Sequence, residues 1–259
     1  MRFIGIDIGA EAHVVAVVEE TGEVLMRPRR FEESAAGYER LFEELGPAEG
    51  SLVAMEATGH YWKNLFVVLA ARGFEVALLN PLRTRRFAEE DLERTKTDAI
   101  DALGIARFAA QKRPAPTRLP DAATEELREL VRLRERLVQQ LGDHVRQLHR
   151  LVDLGFPEFT GLVKTLDSEL ATALLRQFPT AAAFAHVKPS RVSRLRFDGR
   201  RRVGDQLASA LVETAKVSVG QHHGEAYQVQ VRYLCEDIDT LRGRLRTLGG
   251  DIERKLEAH

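Results

Sequence analysis

Arg2-Phe3-Ile4-Gly5-Ile6-Asp7-Ile8 is a short apolar run that ends on a carboxylate. Strand side chains alternate between faces, so the pattern predicts a strand with Phe3, Gly5 and Asp7 on one side. A charge at the carboxyl end of an apolar strand is costly beside a core unless something compensates it. Asp7 is therefore the first candidate functional residue. Beyond Gly9-Ala10 a second β-rich run covers His13–Glu19, and the turn Glu20-Thr21-Gly22-Glu23 leads to a third near Val24–Arg27. Short turns between successive strands predict a meander.

The next signals alternate. Ser34–Leu45 has helical spacing, with Tyr38, Leu41, Phe42 and Leu45 on one face and Ser34 placed to cap it. Leu52–Ala57 reads as a short buried strand with Leu52, Ala54 and Glu56 on one face. Tyr61–Arg72 reads as a helix closed by Gly73, Phe74–Leu79 as a strand stopped by Asn80-Pro81, and Thr97–Gln111 as a further helix. Three antiparallel strands followed by strand and helix in alternation is the order of an α/β ribonuclease-H-like domain, expected here over residues 1–115. Pro114, Pro116 and Pro120 make a linker.

An all-α region is expected over 121–259. Leu127, Leu130, Leu133, Leu137, Leu141, Leu148 and Leu151 recur at three-, four- and seven-residue steps, the pattern of a long amphipathic, coiled-coil-like helix over Asp121–Leu154. Tyr227, Val231, Leu234, Ile238, Leu241, Leu245, Leu248 and Ile252 form a second stripe within 222–257. The two stripes are expected to pack on each other as a hairpin or between subunits, and residues 165–220 to form shorter helices broken at Pro179 and Pro189.

Composition narrows the function classes. The formal net charge of the 259 residues is −1, so any nucleic-acid binding must come from local patches. The single cysteine, Cys235, excludes an internal disulfide, and no Cys/His cluster suggests zinc. No run approaches 18 apolar residues, and Glu11, Glu19 and Glu20 interrupt any signal-peptide pattern. A cytoplasmic protein working beside the nucleoid is the expectation.

Asp98 and Asp101 lie three residues apart on the Thr97–Gln111 helix and so face the same way. Were the first and fourth strands parallel neighbours, Asp7 and Glu56 would emerge together, and a helix packed beside them would complete a four-acid set. Mg²⁺ prefers such oxygen ligands, and two-metal sites hold cations about 3.5–4 Å apart for in-line phosphoryl displacement. Plainer readings exist for each residue: Asp7 as a turn former before Gly9, Glu56 as an acid capping the following helix, Thr97-Asp98 as an ordinary helix start.

At these residues the sequence resembles the DEDD insertion-sequence transposases, whose N-terminal domain is similar to the RuvC Holliday-junction resolvase. The matching stretches are Gly5-Ile-Asp-Ile-Gly9, Met55-Glu-Ala-Thr-Gly-His-Tyr-Trp62, Leu79-Asn-Pro81 and Thr95-Lys-Thr-Asp-Ala-Ile-Asp-Ala102. The resemblance implies that Asp7, Glu56, Asp98 and Asp101 bind Mg²⁺, with Mn²⁺ able to substitute, in a site that cuts and rejoins DNA. It implies a structured guide (bridge) RNA that pairs with target and donor DNA. It also implies a C-terminal domain with a nucleophilic serine, for which no serine here lies in a matching motif. The chain is expected to lack that domain.

Basic clusters suit a phosphate backbone. Arg83, Arg85 and Arg86 follow Asn80-Pro81, and Lys96 precedes Asp98; these could hold phosphates near the acids, or begin a solvated helix. Arg194, Arg196, Arg200, Arg201 and Arg202, with Arg191, make the densest basic stretch, broken by Asp198-Gly199. His60, Tyr61 and Trp62 could stack on a base, but Tyr61 and Trp62 on a helix after a strand are expected in the core. His222-His223 is expected as a helix-start pair.

A stand-alone RuvC-like nuclease or junction resolvase would need only the four acids. A sugar kinase or related ATPase would need a second Asp-Gly phosphate loop, which is absent, and has Glu11 where a Thr or Ser is wanted. A non-catalytic, RNA-binding oligomerisation module would rely on the leucine stripes and arginines alone. A dimer is expected, as the commonest symmetric assembly.

Overall fold

The first strand lies at the centre of the sheet. In the computed structural model, which describes residues 1–90 and 97–258, β1 (Arg2–Asp7) pairs antiparallel with β2 (Ala12–Glu19) and parallel with β4 (Ser51–Glu56). With β3 (Val24–Glu32) and β5 (Glu75–Leu79), the strands run in the order β3-β2-β1-β4-β5, β3 antiparallel to β2 and β5 parallel to β4. This mixed sheet has the ribonuclease-H-like order expected from the sequence.

Helices cover both sheet faces. On one, Ile4, Ile6, Val15, Val17, Val53 and Met55 pack against α1 (Ala35–Leu45) and α2 (Trp62–Ala71) through Leu41, Phe42, Leu65 and Leu69. On the other, Phe3, Leu52, Ala54, Ala77 and Leu79 meet α4 (Asp98–Lys112) through Ile105, Ala106, Phe108 and Ala109, with Phe87 of α3 (Pro81–Glu90) alongside. Burying both faces of β1 and β4 explains why their sequences are almost wholly apolar.

One boundary differs from expectation. β3 continues past Arg27 to Glu32 and carries Pro28 within it. It is an edge strand, where a missing N–H can face solvent, so neither proline nor arginine ends it. The arginine run from Arg83, which the sequence leaves open between a phosphate contact and a helix start, lies on the helix α3. Pro81 opens it, and the Asn80 side chain accepts from the Leu82 N–H at 2.9 Å; proline at the first helical position over an Asn cap is a favoured start.

The chain divides into two compact units, Met1–Leu119 and the residues from Pro120 onward. The second is helical. α5 (Ala122–Gly155) and α11 (Glu225–Glu257) pack on each other within the chain. Lys255 pairs with Glu126 at one end, and the Gln221 N–H donates to the Leu154 carbonyl at 3.1 Å near the other, so the two helices run antiparallel. Leu137, Leu241 and Leu248 form one seam between them. Leu133, assigned to the stripe, is instead exposed.

The end of the pair near Leu154 holds the main core. Leu148, Val152, Leu234 and Ile238 meet Phe156, Phe159, Phe178 and Phe184. The short helices α6 (Phe159–Leu162), α7 (Glu169–Gln177), α8 (Ala181–Ala185), α9 (Pro189–Ser193) and α10 (Asp205–Lys216) close around this core, adding Leu174, Val192 and Leu211. His222 and His223 precede α11 rather than start it; Gly224 is the cap. A two-stranded hairpin, β6 (Arg196–Phe197) and β7 (Arg201–Arg202), joins α9 to α10. Among the described residues no helix is long and apolar enough to cross a membrane.

Candidate carboxylate site

Asp7 and Glu56 end two adjacent parallel strands. The register pairs Gly5 with Ala54 and Ile6 with Met55, so the two acids are next along the same edge. Both share parity with Phe3, Gly5, Leu52 and Ala54, and therefore the sheet face that α4 covers. Each is half-buried. The Thr84 hydroxyl of α3, 7% exposed, donates to Glu56 Oε1.

The direction of α4 follows from its far end. Arg113, just beyond the helix, pairs with Glu20, just beyond β2. Arg2 lies opposite Glu19, so Glu20 marks the amino-terminal end of β1. Near its middle α4 presses on the backbone of β1: a Cβ on Gly5 would lie 2.2 Å from the Ala102 carbonyl oxygen and 2.3 Å from the Ala106 nitrogen. α4 thus runs antiparallel to β1, and its first turn reaches the edge where the strands end. Asp98 precedes Ala102 by four residues, about 6 Å along a helix axis at ~1.5 Å per residue. Asp7 follows Gly5 by two, about 6.6 Å along a strand at ~3.3 Å per residue.

Thr97 caps α4, its side chain accepting from the Ile100 N–H at 3.3 Å. Asp98 is exposed and Asp101 half-buried in that first turn, where acids also favour the helix dipole. All four acids thus belong to one edge of the sheet. Among the described residues, however, no three His, Cys, Asp or Glu side chains are drawn together closely enough to hold a metal ion. The donor set itself, four carboxylates with no sulfur or imidazole among them, has the chemistry that a hard divalent cation requires.

Arg83, Arg85 and Arg86 lie exposed on α3, which begins at the end of β5 on this same edge. Lys96 lies outside the described residues. Tyr61, expected in the core, is 41% exposed and lies against His60 with ring centroids 4.3 Å apart. Its loop leaves β4 directly after Glu56, before the first apolar turn of α2 can bury it. Trp62 is half-buried, its Nε1 donating to the Gly59 carbonyl at 3.2 Å and its ring meeting Phe66 at 5.9 Å.

Within the second unit, Asp198 and Gly199 turn the β6–β7 hairpin with φ of 50° and 76°. The Asp198 carboxylate accepts from the Arg201 and Arg200 N–H groups at 3.0 and 3.2 Å and pairs with the Arg201 side chain, which together hold it below the usual carboxylate range. Arg201, also 5.2 Å from the Phe197 ring centre, thereby braces the turn with its side chain still 72% exposed. Arg194, Arg196, Arg200 and Arg202 are exposed. Beside the hairpin opens a groove of about 810 Å³ lined by Lys164, Ser168, Phe197, Arg201 and Arg246.

Two features escaped the sequence reading. Thr84 beside Glu56 carries no local signal, because only the packing of α3 against the end of β4 brings it there. His13 did have one: it occupies an inward position of β2, in step with Val15 and Val17, where a polar side chain needs a buried partner.

A family model described as Transposase, DEDD_Tnp_IS110, matches residues 4–157, more than half of the 259-residue chain. The chain belongs to this transposase family. The Moraxella lacunata protein named pilin gene-inverting protein is 36% identical over 88 residues, 34% of this chain and 27% of that protein. The Streptomyces coelicolor mini-circle putative transposase for IS117 is 32% identical over 163 residues, 57% of this chain and 37% of that protein. The match thus spans roughly a quarter to somewhat over a third of these family relatives. T. thermophilus RuvC in complex with a Holliday junction substrate aligns with 45% of this chain and 99% of its own, at 18% identity and a TM-score of 0.34. The strand order and pairing, not a likeness of that size, define the fold.

Proposed function

We propose that this family member acts in DNA transposition or recombination, cleaving and exchanging strands at a divalent-metal site formed by Asp7, Glu56, Asp98 and Asp101. The observation that carries the reading is the meeting of three elements at one sheet edge: the carboxyl ends of parallel β1 and β4 and the first turn of antiparallel α4. Mg²⁺, with Mn²⁺ as substitute, would supply charge stabilisation for an in-line attack on a DNA phosphate when bound there. The chain's own part is to hold four oxygen donors around that position and to keep Glu56 oriented through Thr84. Arg83, Arg85, Arg86 and Lys96 would steady the phosphates flanking the cut. Relatives named for gene inversion and transposition favour strand exchange over simple nicking.

In the helical unit, Arg194, Arg196, Arg200 and Arg202 would contact the backbone of a structured guide RNA, with the chain acting as a dimer. The test is Mn²⁺ titration of the unsubstituted chain and of Asp7→Asn, with circular dichroism as the check on folding. Asp7→Asn should keep its spectrum and lose Mn²⁺ binding. Equal binding by the two chains would overturn the site. RNA binding that survives loss of all four acids, with no metal bound by the unsubstituted chain, would instead favour a non-catalytic RNA-binding module.

A further inference from the structure

We propose that His13 and Glu33 form a clamp behind the carboxylate edge, fixing the turn that follows Asp7 against the helix that follows Glu56. The two are positioning residues, and the role rests on the reading of Asp7 and Glu56 as a joint site. His13 is 1% exposed and lies on the sheet face opposite α4. Its Nδ1 accepts from the Gly9 N–H at 3.3 Å, two residues beyond Asp7. Its Nε2 lies 2.5 Å from Glu33 Oε2. A ring that accepts at Nδ1 must carry its proton on Nε2, so the hydrogen bonds fix the tautomer and His13 donates to Glu33.

Glu33 gathers the rest. Its Oε2 also accepts from the Tyr38 hydroxyl of α1 at 2.5 Å, and its Oε1 accepts from Asn64 Nδ2 of α2 at 3.2 Å. Its backbone N–H donates to the Glu11 carbonyl at 3.0 Å, in the same turn as Gly9. The turn has no slack, since a Cβ on Gly9 would come 2.3 Å from the Ala12 carbonyl oxygen. One carboxylate therefore ties the residues just after Asp7 to the start of the helix just after Glu56. Burial alone would raise the Glu33 pKa; the hydrogen bonds from Tyr38, His13 and Asn64 outweigh it and hold the group below the usual range. Glu33 thus stands as a carboxylate that accepts from all three side chains.

The two ring nitrogens can be tested separately. In His13→Asn the amide oxygen stands near the former Nδ1, keeping the Gly9 bond and forfeiting Glu33. In His13→Gln the longer amide reaches Glu33 and forfeits Gly9. Mn²⁺ affinity, thermal unfolding and ¹⁵N shifts would be measured on the full chain. His13→Gln and His13→Asn each open the link between Gly9 and Glu33, so both are expected to weaken Mn²⁺ binding on the order of tenfold, as loss of outer-shell support commonly does, although His13→Asn is the less stable of the two. Mn²⁺ affinity that simply follows melting temperature would show a structural histidine and overturn the clamp. So would ¹⁵N shifts placing the His13 proton on Nδ1. Should the unsubstituted chain bind no Mn²⁺, the metal reading fails, while the His13 tautomer and the Gly9 amide shift still decide whether the clamp exists.

Discussion

Gly5 lies in backbone contact with Ala102, closely enough that a methyl group on Gly5 would overlap the Ala102 carbonyl oxygen at 2.2 Å. This contact sets how near α4 comes to β1, and hence how near Asp98 and Asp101 come to Asp7. The neighbours on both sides are main-chain atoms, so no rotamer change can make room. Gly5→Ala should cost about 1–3 kcal/mol, the range for overpacking a filled core, and should push α4 outward. Chemical denaturation would give the stability change. Loss of Mn²⁺ affinity beyond that seen for an equally destabilising substitution such as Leu69→Ala on the opposite face would show that the spacing matters to the site.

Tyr61 and His60 form an exposed aromatic shelf on the loop leaving Glu56. Base–aromatic stacking contributes about 1–3 kcal/mol per base. Tyr61→Ala should therefore weaken single-stranded DNA binding about tenfold or more while leaving the melting temperature within a degree or two, since its ring neighbour is the likewise exposed His60. Tyr61→Phe should bind normally. Fluorescence anisotropy with a short oligonucleotide would decide; equal affinity for Tyr61→Ala would leave the shelf without a role.

Much of this arrangement is legible in the sequence, for identifiable reasons. The double burial of β1 and β4 forces unbroken apolar runs, so the strand ends and their acids stand out. Ser34 and Thr97 announce α1 and α4 because a capping side chain must sit at a fixed step from the N–H it accepts. Legibility fails where the environment is not periodic. β3 carries Arg27, Arg29 and Arg30 because an edge strand has little to bury. Tyr61 looks like core by residue type and is exposed because its loop ends before the helix begins. The closeness of α4 to Gly5 is a tertiary fact, and nothing local in Ala102 or Ala106 encodes it.

Arg200 and Arg202 are exposed on the β6–β7 hairpin, whereas Arg201 is tied to Asp198. A phosphate contact releases counterions, and each lost contact lowers the salt slope of binding by roughly one. Arg200→Ala and Arg202→Ala should each weaken structured-RNA binding and flatten the plot of log affinity against log salt by about one. Arg201→Ala should instead loosen the hairpin, with an effect on stability and little on the slope. Identical slopes for all three variants and the unsubstituted chain would remove the hairpin from the RNA-binding surface.

The hydrogen bond from Tyr38 to Glu33 makes stability depend on pH at both ends. Glu33, partly buried yet held by Tyr38, His13 and Asn64, has its folded pKa below its ordinary 4.5. Its contribution is therefore complete above about pH 4.5 and is lost as pH falls through the depressed folded value. Tyr38 moves the other way: burial first, then the Glu33 carboxylate, raise its pKa above the ordinary 10.0. Its contribution is complete below about pH 10 and is lost as pH rises toward the raised folded value. Tyr38→Phe removes the Tyr38 titration and the Tyr38 share of the hold on Glu33, leaving His13 and Asn64 in place. It should cost about 1–3 kcal/mol at neutral pH, as a hydrogen bond to a charged group does, and should shrink its own deficit toward zero at both the acid and the alkaline limb. Denaturation midpoints of the two chains from pH 3 to pH 11 would trace this; a deficit that stays constant across the whole range would show that the hydroxyl contributes through packing and not through the charged Glu33.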